Sequence, residues 1–326
     1  MKTLRTPDER FEGLDGYPFE PHYAEIADGD DGTLRVHYLD EGPRDAAPVL
    51  LLHGEPSWSY LYRHMIARFL AAGFRCVAPD HIGFGRSDKV TDPDWYNIAR
   101  HTANLRTFVT SLDLRDITLV VQDWGGPTGL AQYAAMPERF SRLVIMNTWL
   151  HHAGYEYSPG IQHWIEQNKP GGLFRDNVPE RFNWGTLMAL GTQRVSPQDS
   201  IFAIVSGGTP IFSPAALSVK NAYDAPFEGL GEPGVTGPRR FPLSIPLHDP
   251  QAGNASVQEQ TFAVVNATRL PVHFAWGVND NVFTRDWGMR WHGLIPHSTW
   301  FEVPGAHFLQ DTHGTEIADH VLQHMG

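Results

Sequence analysis

An alternation of strand-like and helix-like segments predicts an α/β fold built on a doubly wound, mostly parallel sheet. Short, almost wholly apolar runs recur along the chain, as is typical of strands buried on both faces of a parallel sheet. Segments with helical spacing separate these runs, which is the pattern of right-handed crossover connections. A sharp strand–turn–helix stretch at residues 117–136 lies at the centre of this pattern.

The composition indicates a soluble globular protein and argues against two classes of partner. The chain has 326 residues, with 41% hydrophobic and 19% charged residues, enough for one large α/β domain with an insertion or for two domains. Its net charge of −12 argues against nucleic acid and anionic membrane surfaces as partners. There is neither an apolar stretch of about 18 residues nor a signal-peptide pattern, so a cytoplasmic location is expected.

The predicted elements follow one another in a regular order. Residues 1–33, rich in Pro, Gly, Asp and aromatics, are expected to form an arm laid over the domain. The only cysteine, Cys76, falls in an apolar run and is expected to be a buried, unreactive thiol. Strands are predicted at residues 34–38, 49–53, 74–79, 117–122, 143–147, 271–277 and 298–303. Helices are predicted at residues 60–72, 98–112, 129–136, 256–265 (with Ser256 as N-cap) and 316–324.

The alternation of strands and helices breaks after Asn147. Residues 149–228 contain many Pro, Gly, Trp and His residues, with only short helical pieces at 159–167 and 214–223. We therefore expect a helical cap at residues 149–228. This cap would be inserted into a core domain formed by residues 1–148 and 229–326, because strand-like segments resume near the end of the chain.

The stretch around Asp123 organises the chemistry of the chain. An apolar strand, Ile117–Gln122, ends in Asp123 and Trp124, and two glycines and a helical pattern follow. This arrangement is typical of the nucleophile elbow of the α/β-hydrolase fold, whose usual motif is G-x-S-x-G. Here Asp123 takes the place of the serine, and a carboxylate can attack a saturated carbon without a base to activate it. The structural alternative is that Asp123 caps the following helix.

Polar residues at other strand ends complete a catalytic set, since catalytic groups in open α/β sheets lie at the carboxyl ends of strands. His307 follows the last strand within a glycine-containing turn and is the expected general base. Asp280 follows the preceding strand and is the expected acid that orients His307. The order nucleophile, acid, histidine is that of α/β-hydrolases. Asn147 ends an earlier strand, but an amide cannot carry the charge that stabilises an imidazolium.

Motifs spread over the whole core carry a family resemblance. They lie at residues 5–8 (RTPD), 37–42 (HYLDEG), 53–63 (HGEPSWSYLYR), 78–80 (APD), 83–89 (GFGRSDK), 112–115 (LDLR), 121–126 (VQDWGG), 222–227 (AYDAPF) and 307–310 (HFLQ). On these motifs the sequence resembles the haloalkane dehalogenases of the α/β-hydrolase superfamily, in the branch whose acid follows the later core strand. The match is poor only between about 153 and 215, the region expected to set substrate choice.

The resemblance implies hydrolysis in two steps. Asp123 would displace halide from carbon to give an alkyl-enzyme ester, and water activated by His307 would then hydrolyse that ester. The products would be a primary alcohol, halide and a proton. Backbone N–H groups of Glu55 and Trp124 would hold the oxyanion, and Asp280 would fix the His307 tautomer. This chemistry requires neither a metal nor an organic cofactor.

The resemblance also implies two indole N–H groups around the leaving halide, because tryptophan offers a donor without a charge. Trp124 matches the first. The cap would supply the second, for which Trp164 is the first choice and Trp184 the alternative. The Glu55 side chain is expected to be turned away or hydrogen-bonded, since a carboxylate would oppose a departing anion.

Two other functions stay open at this point. An epoxide hydrolase would share Asp123 and His307 but would protonate the epoxide oxygen with cap tyrosines, for which three are present: Tyr155, Tyr157 and Tyr223. A non-catalytic binding protein would lack one or more of the catalytic residues, whereas Asp123, Asp280 and His307 are all present. The expected partners are a small apolar halogenated substrate, water and halide ion. The chain is expected to be a monomer or a weak homodimer.

Overall fold

The computed structural model describes residues 1–29, 32–172, 184–191 and 213–325. Strands in this part of the chain are β1 (Thr3–Leu4), β2 (His22–Ala27), β3 (Thr33–Glu41), β4 (Pro48–Leu52), β5 (Arg75–Pro79), β6 (Lys89–Val90), β7 (Ile117–Gln122), β8 (Phe140–Met146), β9 (Val272–Gly277) and β10 (Thr299–Val303). The main sheet has the strand order β10-β9-β8-β7-β4-β5-β3-β2, while β1 and β6 form a separate pair.

The main sheet is parallel from β10 through β5 and antiparallel only at β3 and β2. This confirms the doubly wound, mostly parallel sheet that the sequence predicts. Strand β4 lies between β5 and β7, so the order of the strands reverses there. Such a switch point opens a crevice at the carboxyl ends of the strands, and this crevice is where ligands bind in open α/β sheets.

Helices connect the parallel strands, and further helices lie in the carboxyl-terminal half of the chain. In the part of the chain that the structure describes, no helix is long and apolar enough to cross a membrane. The α-helices are Arg63–Ala71, Ile98–Ser111, Gly125–Ala135, Pro159–Asn168, Trp184–Gly191, Pro214–Asp224, Gly231–Gly234, Thr236–Arg240, Ala255–Asn266, Arg285–Gly293 and Leu309–Gln323.

The central strands bury both of their faces. Leu119 and Val121 belong to one hydrophobic cluster, whereas Val120 between them belongs to the other. Successive side chains of a strand point to opposite faces, so this alternation places a core on each side of β7. Burying one such side chain stabilises the fold by about 1.5–3 kcal/mol. Strand β7 is therefore held firmly by packing on both faces, and it fixes the position of Asp123, the residue that follows it.

Three local predictions differ from the structure. The segment 1–33 is more than an arm, because β2 joins the edge of the main sheet and Ile26 is buried in the core. Ser256 is not an N-cap, since the helix begins at Ala255 after Asn254, whose left-handed backbone (φ 55°) ends the preceding turn. The last helix begins at Leu309 rather than near 316 and continues through a kink at His313.

The position of Cys76 agrees with the sequence-based prediction. Its side chain is fully buried in β5, and the cysteine is free. Burial raises the pKa of the thiol to about 12, which keeps it protonated and unreactive at neutral pH.

Candidate active site

The chain turns sharply at Asp123, directly after β7. The backbone of Asp123 is left-handed (φ 50°), a conformation that non-glycine residues adopt rarely. Its carbonyl oxygen accepts a hydrogen bond from the Thr148 hydroxyl at 2.6 Å. The neighbouring turn approaches so closely that a side-chain carbon at Gly54 would collide with the Asp123 carboxyl group. These contacts aim the carboxyl group away from the strand.

Asp123 does not cap the helix that follows it. The N-cap position of Gly125–Ala135 is Trp124, and no side chain caps that helix end. Instead, Asp123 Oδ1 accepts a hydrogen bond from the backbone N–H of Glu55 at 2.7 Å. The carboxyl group is thus held by the loop after β4, and the alternative interpretation of Asp123 as a helix cap is wrong.

The structure brings Asp123, His307 and Asp280 together. His307 Nε2 lies 3.6 Å from Asp123 Oδ2, and His307 Nδ1 lies 2.9 Å from Asp280 Oδ2. The imidazole therefore lies between two carboxyl groups that come from different strand ends. With Nδ1–H donated to Asp280, Nε2 faces Asp123 and the space beside it.

The electrostatics of His307 follow from this position. Burial by itself would favour the neutral ring, but the charges of Asp280 and Asp123 and their hydrogen bonds raise the pKa of His307 to about 10. The ring is therefore an imidazolium at neutral pH as long as Asp123 carries its charge. Neutralising Asp123 lowers the pKa of His307, because one of its two negative partners is lost.

Asp280 is fixed by two donors besides His307. Its fully buried side chain accepts hydrogen bonds at 2.7 Å from the Asn147 amide and from the backbone N–H of Val282. Asn147 Oδ1 in turn accepts from the backbone N–H of Gly277 at 2.8 Å. Asn147 thus fixes the position of Asp280, a role that sequence reasoning missed when it treated this strand end only as an empty acid position.

Gln122 is a second residue that sequence reasoning missed. Its amide nitrogen donates to the backbone oxygen of His307 at 3.0 Å and lies 3.2 Å from His307 Nε2. The side chain is fully buried at the last position of β7. A polar residue ending an otherwise apolar strand is the signal that points to it.

A cavity of about 310 Å³ opens beside Asp123 and His307. Its lining is mostly apolar and aromatic, and includes Trp124, Trp149, Ile161, Trp164 and Phe283. Among the described residues, nothing accepts a hydrogen bond from the Trp124 indole. That N–H is therefore available to a ligand in the cavity.

The candidate cap tryptophans occupy different places. Trp164, on the helix Pro159–Asn168, lines the cavity. Trp184 is not among the described lining residues, and its ring packs 6.5 Å from that of Phe227. A third indole, Trp149, also lines the cavity, and its buried Nε1 has no hydrogen-bond partner within the described ranges. Its position just after β8 is the signal that could have identified it.

The Glu55 side chain faces the cavity rather than turning away from it. It is 5% exposed, and it is hydrogen-bonded to the Trp164 side chain. Burial, together with the nearby charge of Asp123, raises the pKa of Glu55 well above its ordinary value. The raised pKa favours the neutral form of the carboxyl group, which opposes an anion in the cavity less than a carboxylate would.

The tyrosines required by an epoxide hydrolase lie elsewhere. None of Tyr155, Tyr157 and Tyr223 is among the described residues that line the cavity. The Tyr223 hydroxyl donates to Asp311 at 2.8 Å, and the Tyr157 hydroxyl is 2.8 Å from His151 Nδ1. The cavity thus lacks, among its described lining residues, a phenol that could protonate an epoxide oxygen.

Comparison with known proteins agrees with this geometry. A family model described as alpha/beta hydrolase fold matches residues 47–314. A haloalkane dehalogenase of Psychrobacter cryohalolentis is 39% identical over 99% of this chain and 98% of its own length, and one of Mycolicibacterium paratuberculosis is 35% identical over the same shares. The solved haloalkane dehalogenase of Paraglaciecola agarilytica, described as tetrameric, has a TM-score of 0.83 at 32% identity and covers 99% of this chain and 98% of its own. The chain therefore belongs to the haloalkane dehalogenase family of the α/β-hydrolase fold.

Proposed function

We propose that this protein hydrolyses haloalkanes to a primary alcohol, halide and a proton through a covalent alkyl-aspartate ester. The observation that carries the proposal is the Asp123 carboxyl group at the elbow, which faces an apolar cavity beside the Trp124 indole, whose N–H has no acceptor among the described residues. A carboxylate can displace halide from a saturated carbon, and an indole can hold the halide without adding a charge. The epoxide-hydrolase alternative is not favoured, because its tyrosines lie outside this lining.

In the first step, Asp123 Oδ2 attacks the carbon that bears the halogen. The carbon–oxygen bond forms as the carbon–halogen bond breaks, and the electron pair leaves with the halide. Trp124 and Trp164 donate to the halide, and Trp164 can do so once its hydrogen bond to Glu55 is released. Asp123 loses its charge when the ester forms, so the pKa of His307 falls and the ring can give up its proton.

In the second step, neutral His307 takes a proton from water as that water attacks the ester carbonyl carbon of Asp123. The Glu55 N–H already donates to Asp123 Oδ1, and with the Trp124 N–H it stabilises the oxyanion that forms there. Asp280 balances the imidazolium. Collapse of the tetrahedral intermediate breaks the bond from the carboxyl carbon to the alkyl oxygen, and the departing alkoxide takes the proton of the added hydroxyl group, so that the alcohol leaves and Asp123 is a carboxylate again.

We also propose that residues 149–228 act as a cap on a core of residues 1–148 and 229–326. The segment lies in the connection between β8 and β9, which are neighbours in the sheet, and four of its described residues line the cavity: Trp149, Ile161, Trp164 and Leu187. For the assembly, we propose a monomer or a weak homodimer. Light scattering at the assay concentration tests this against the tetramer described for the Paraglaciecola agarilytica relative.

Halide release by the purified protein tests the proposed function directly. A panel of short bromo- and chloroalkanes should yield halide and alcohol in equal amounts, while styrene oxide should give no diol. Asp123→Asn, which keeps the shape of the side chain but removes the nucleophile, is the matched negative control. Diol formation without halide release would move the protein to the epoxide hydrolases.

Trp124→Phe and Trp164→Phe are each expected to slow the alkylation step by about 10²–10³-fold, the usual effect of losing one preorganised donor to a developing negative charge. Quenching of tryptophan fluorescence by bromide should weaken in the same variants. Rapid-quench measurement of the first halide released separates alkylation from later steps.

Trp184→Phe is the control for the cap position, and it should change halide binding by less than about twofold. Loss of halide binding in Trp184→Phe, with binding intact in Trp164→Phe, would transfer the second donor to Trp184. Trp149→Phe tests the additional indole, whose buried Nε1 has no acceptor in the described part of the chain.

Glu55 is expected to weaken halide binding at alkaline pH. Its raised pKa means that it ionises at a higher pH than an ordinary glutamate, and the resulting carboxylate both repels halide and retains the Trp164 hydrogen bond. Glu55→Gln should remove this loss of affinity. Because His307 also loses charge with rising pH, bromide affinity is best measured in His307→Phe, with and without Glu55→Gln. Equal pH profiles in the two backgrounds would contradict the assignment to Glu55.

A further inference from the structure

Three histidines lie together near the amino ends of strands β9 and β10, on the opposite side of the sheet's length from the cavity, which lies at the carboxyl ends. His273, His320 and His324 each offer a ring nitrogen, and these atoms all lie within 4.8 Å of one another. His273 lies at the start of β9 and pairs with Thr299, the first residue of β10. His320 and His324 are one helical turn apart at the carboxyl end of Leu309–Gln323. The cluster thus joins the sheet to the last helix.

We infer that this cluster binds one divalent transition-metal ion of the zinc, nickel and copper class. Neutral imidazole is the side-chain donor that these ions prefer. Two histidines four residues apart on a helix place both rings on one face, which is a common arrangement for such ligands. His273 supplies a third ring from a different element, so the ion would have three protein ligands and one position open to water.

The hydrogen bonds of His324 and His273 leave a nitrogen lone pair on each ring for a metal, while His320 Nε2 lies 3.4 Å from the Thr299 hydroxyl. His324 Nδ1 lies 2.8 Å from the backbone oxygen of His320, an acceptor that fixes the proton on Nδ1 and frees Nε2. Metal-binding histidines characteristically make such a bond with their other ring nitrogen. His273 is 2% exposed, its Nδ1 is 2.8 Å from the Thr299 hydroxyl, and its Nε2 has no partner among the described residues. A bound metal would satisfy that buried nitrogen.

The surroundings select the type of ion. The Arg142 guanidinium lies close enough to His273 to act on the charge of its ring. The same guanidinium repels cations, so an ion held mainly by charge, such as Mg²⁺ or Ca²⁺, is disfavoured. An ion held by coordinate bonds to nitrogen suits the cluster.

Only a small movement would complete the site. Zinc–nitrogen bonds of about 2.0–2.1 Å place tetrahedral ligand atoms about 3.4 Å apart, so the widest pair must close by about 1.4 Å at most. His324 is exposed and lies just after the last helix. His320 stacks on Phe301 at 4.5 Å, which keeps its ring against β10. The bound ion would then pin the last helix to the sheet.

Zinc binding to the full-length, chelator-treated protein tests this inference. Calorimetry at pH 7.5 should show one saturable site with a micromolar or tighter Kd, and zinc should raise Tm by a few degrees. His320→Ala and His324→Ala should each weaken binding at least about tenfold and abolish the Tm rise. His248→Ala, which removes an exposed histidine outside the cluster, should leave both unchanged. Co²⁺ should give the intense visible absorption of tetrahedral coordination in wild type and His248→Ala only.

Other results would overturn the inference. Saturable binding that survives both cluster variants, or that is lost equally in His248→Ala, would place the ion elsewhere. Weak, non-saturable uptake in wild type would mean only general binding to surface histidines. Dehalogenase activity should stay unchanged in His320→Ala and His324→Ala, since both lie near the amino ends of the strands, whereas Asp123 follows the carboxyl end of β7.

Discussion

His307→Phe is expected to release about one equivalent of halide from 1,2-dibromoethane and then to stop. Alkylation needs only the Asp123 carboxylate and the halide donors, whereas ester hydrolysis needs a base to activate water. His307 Nε2 faces Asp123 at 3.6 Å, and no other imidazole is among the described residues that line the cavity. Mass spectrometry of the intact variant should show the added alkyl group, and peptide mapping should locate it on Asp123.

An independent label checks the same mechanism in the wild-type protein. A single turnover in heavy-oxygen water should place the label in Asp123, with ordinary oxygen leaving in the alcohol, because water attacks the ester carbonyl. Labelled alcohol together with unlabelled Asp123 would mean direct displacement by water, with Asp123 acting only as a base. His248→Ala serves as a control for the loss of a histidine and should turn over normally.

Asp280→Asn is expected to slow ester hydrolysis by about 10⁴-fold while alkylation stays much faster. The fully buried Asp280 carboxylate lies 2.9 Å from His307 Nδ1 and is the nearer of its two negative partners. After Asp123 is esterified, Asp280 alone balances the imidazolium. Stopped-flow and rapid-quench measurements should therefore show a burst of halide followed by very slow turnover.

Asn147→Asp in the Asp280→Asn background tests whether the neighbouring strand end can supply the charge. Asn147 already contacts Asp280 at 2.7 Å, so a carboxylate there would lie close to the lost one. Partial recovery of turnover would show that the charge matters more than its position. Near wild-type turnover in Asp280→Asn alone would remove Asp280 from the proposed mechanism.

The core of the fold was predictable because its strands are buried on both faces. The run Val49–Leu52 and the run Ile117–Val121 contain almost no polar residue, and both became central strands. Edge elements lack that constraint. Strand β2 is half exposed and mixes His, Tyr, Ala and Glu, so its residues resemble a loop until a neighbouring strand is known. The start of the helix Ala255–Asn266 depends on the left-handed Asn254, which no spacing rule reveals.

Among the residues around Asp123, those that follow the end of a strand were the ones that the sequence could predict. Asp123, Asp280 and His307 each follow a recognisable strand, so the parallel sheet brings them to one edge. Gln122 and Asn147 act through contacts across the sheet, and their partners are distant in sequence. The raised pKa of Glu55 depends on burial and on the nearby charge of Asp123, neither of which a linear sequence displays.

The left-handed backbone at Asp123 also bears on how this protein can change over generations. A residue with a side chain in that conformation costs about 1–2 kcal/mol relative to one without, and aspartate only partly escapes this cost. Glycine would relax the backbone and would remove the buried charge that raises the pKa of Glu55, while the Glu55 N–H would lose its acceptor. Selection for stability alone therefore disfavours the nucleophile, and only selection for turnover retains it. Without selection for turnover, we expect substitutions that give a more stable but inactive protein to accumulate, beginning at Asp123.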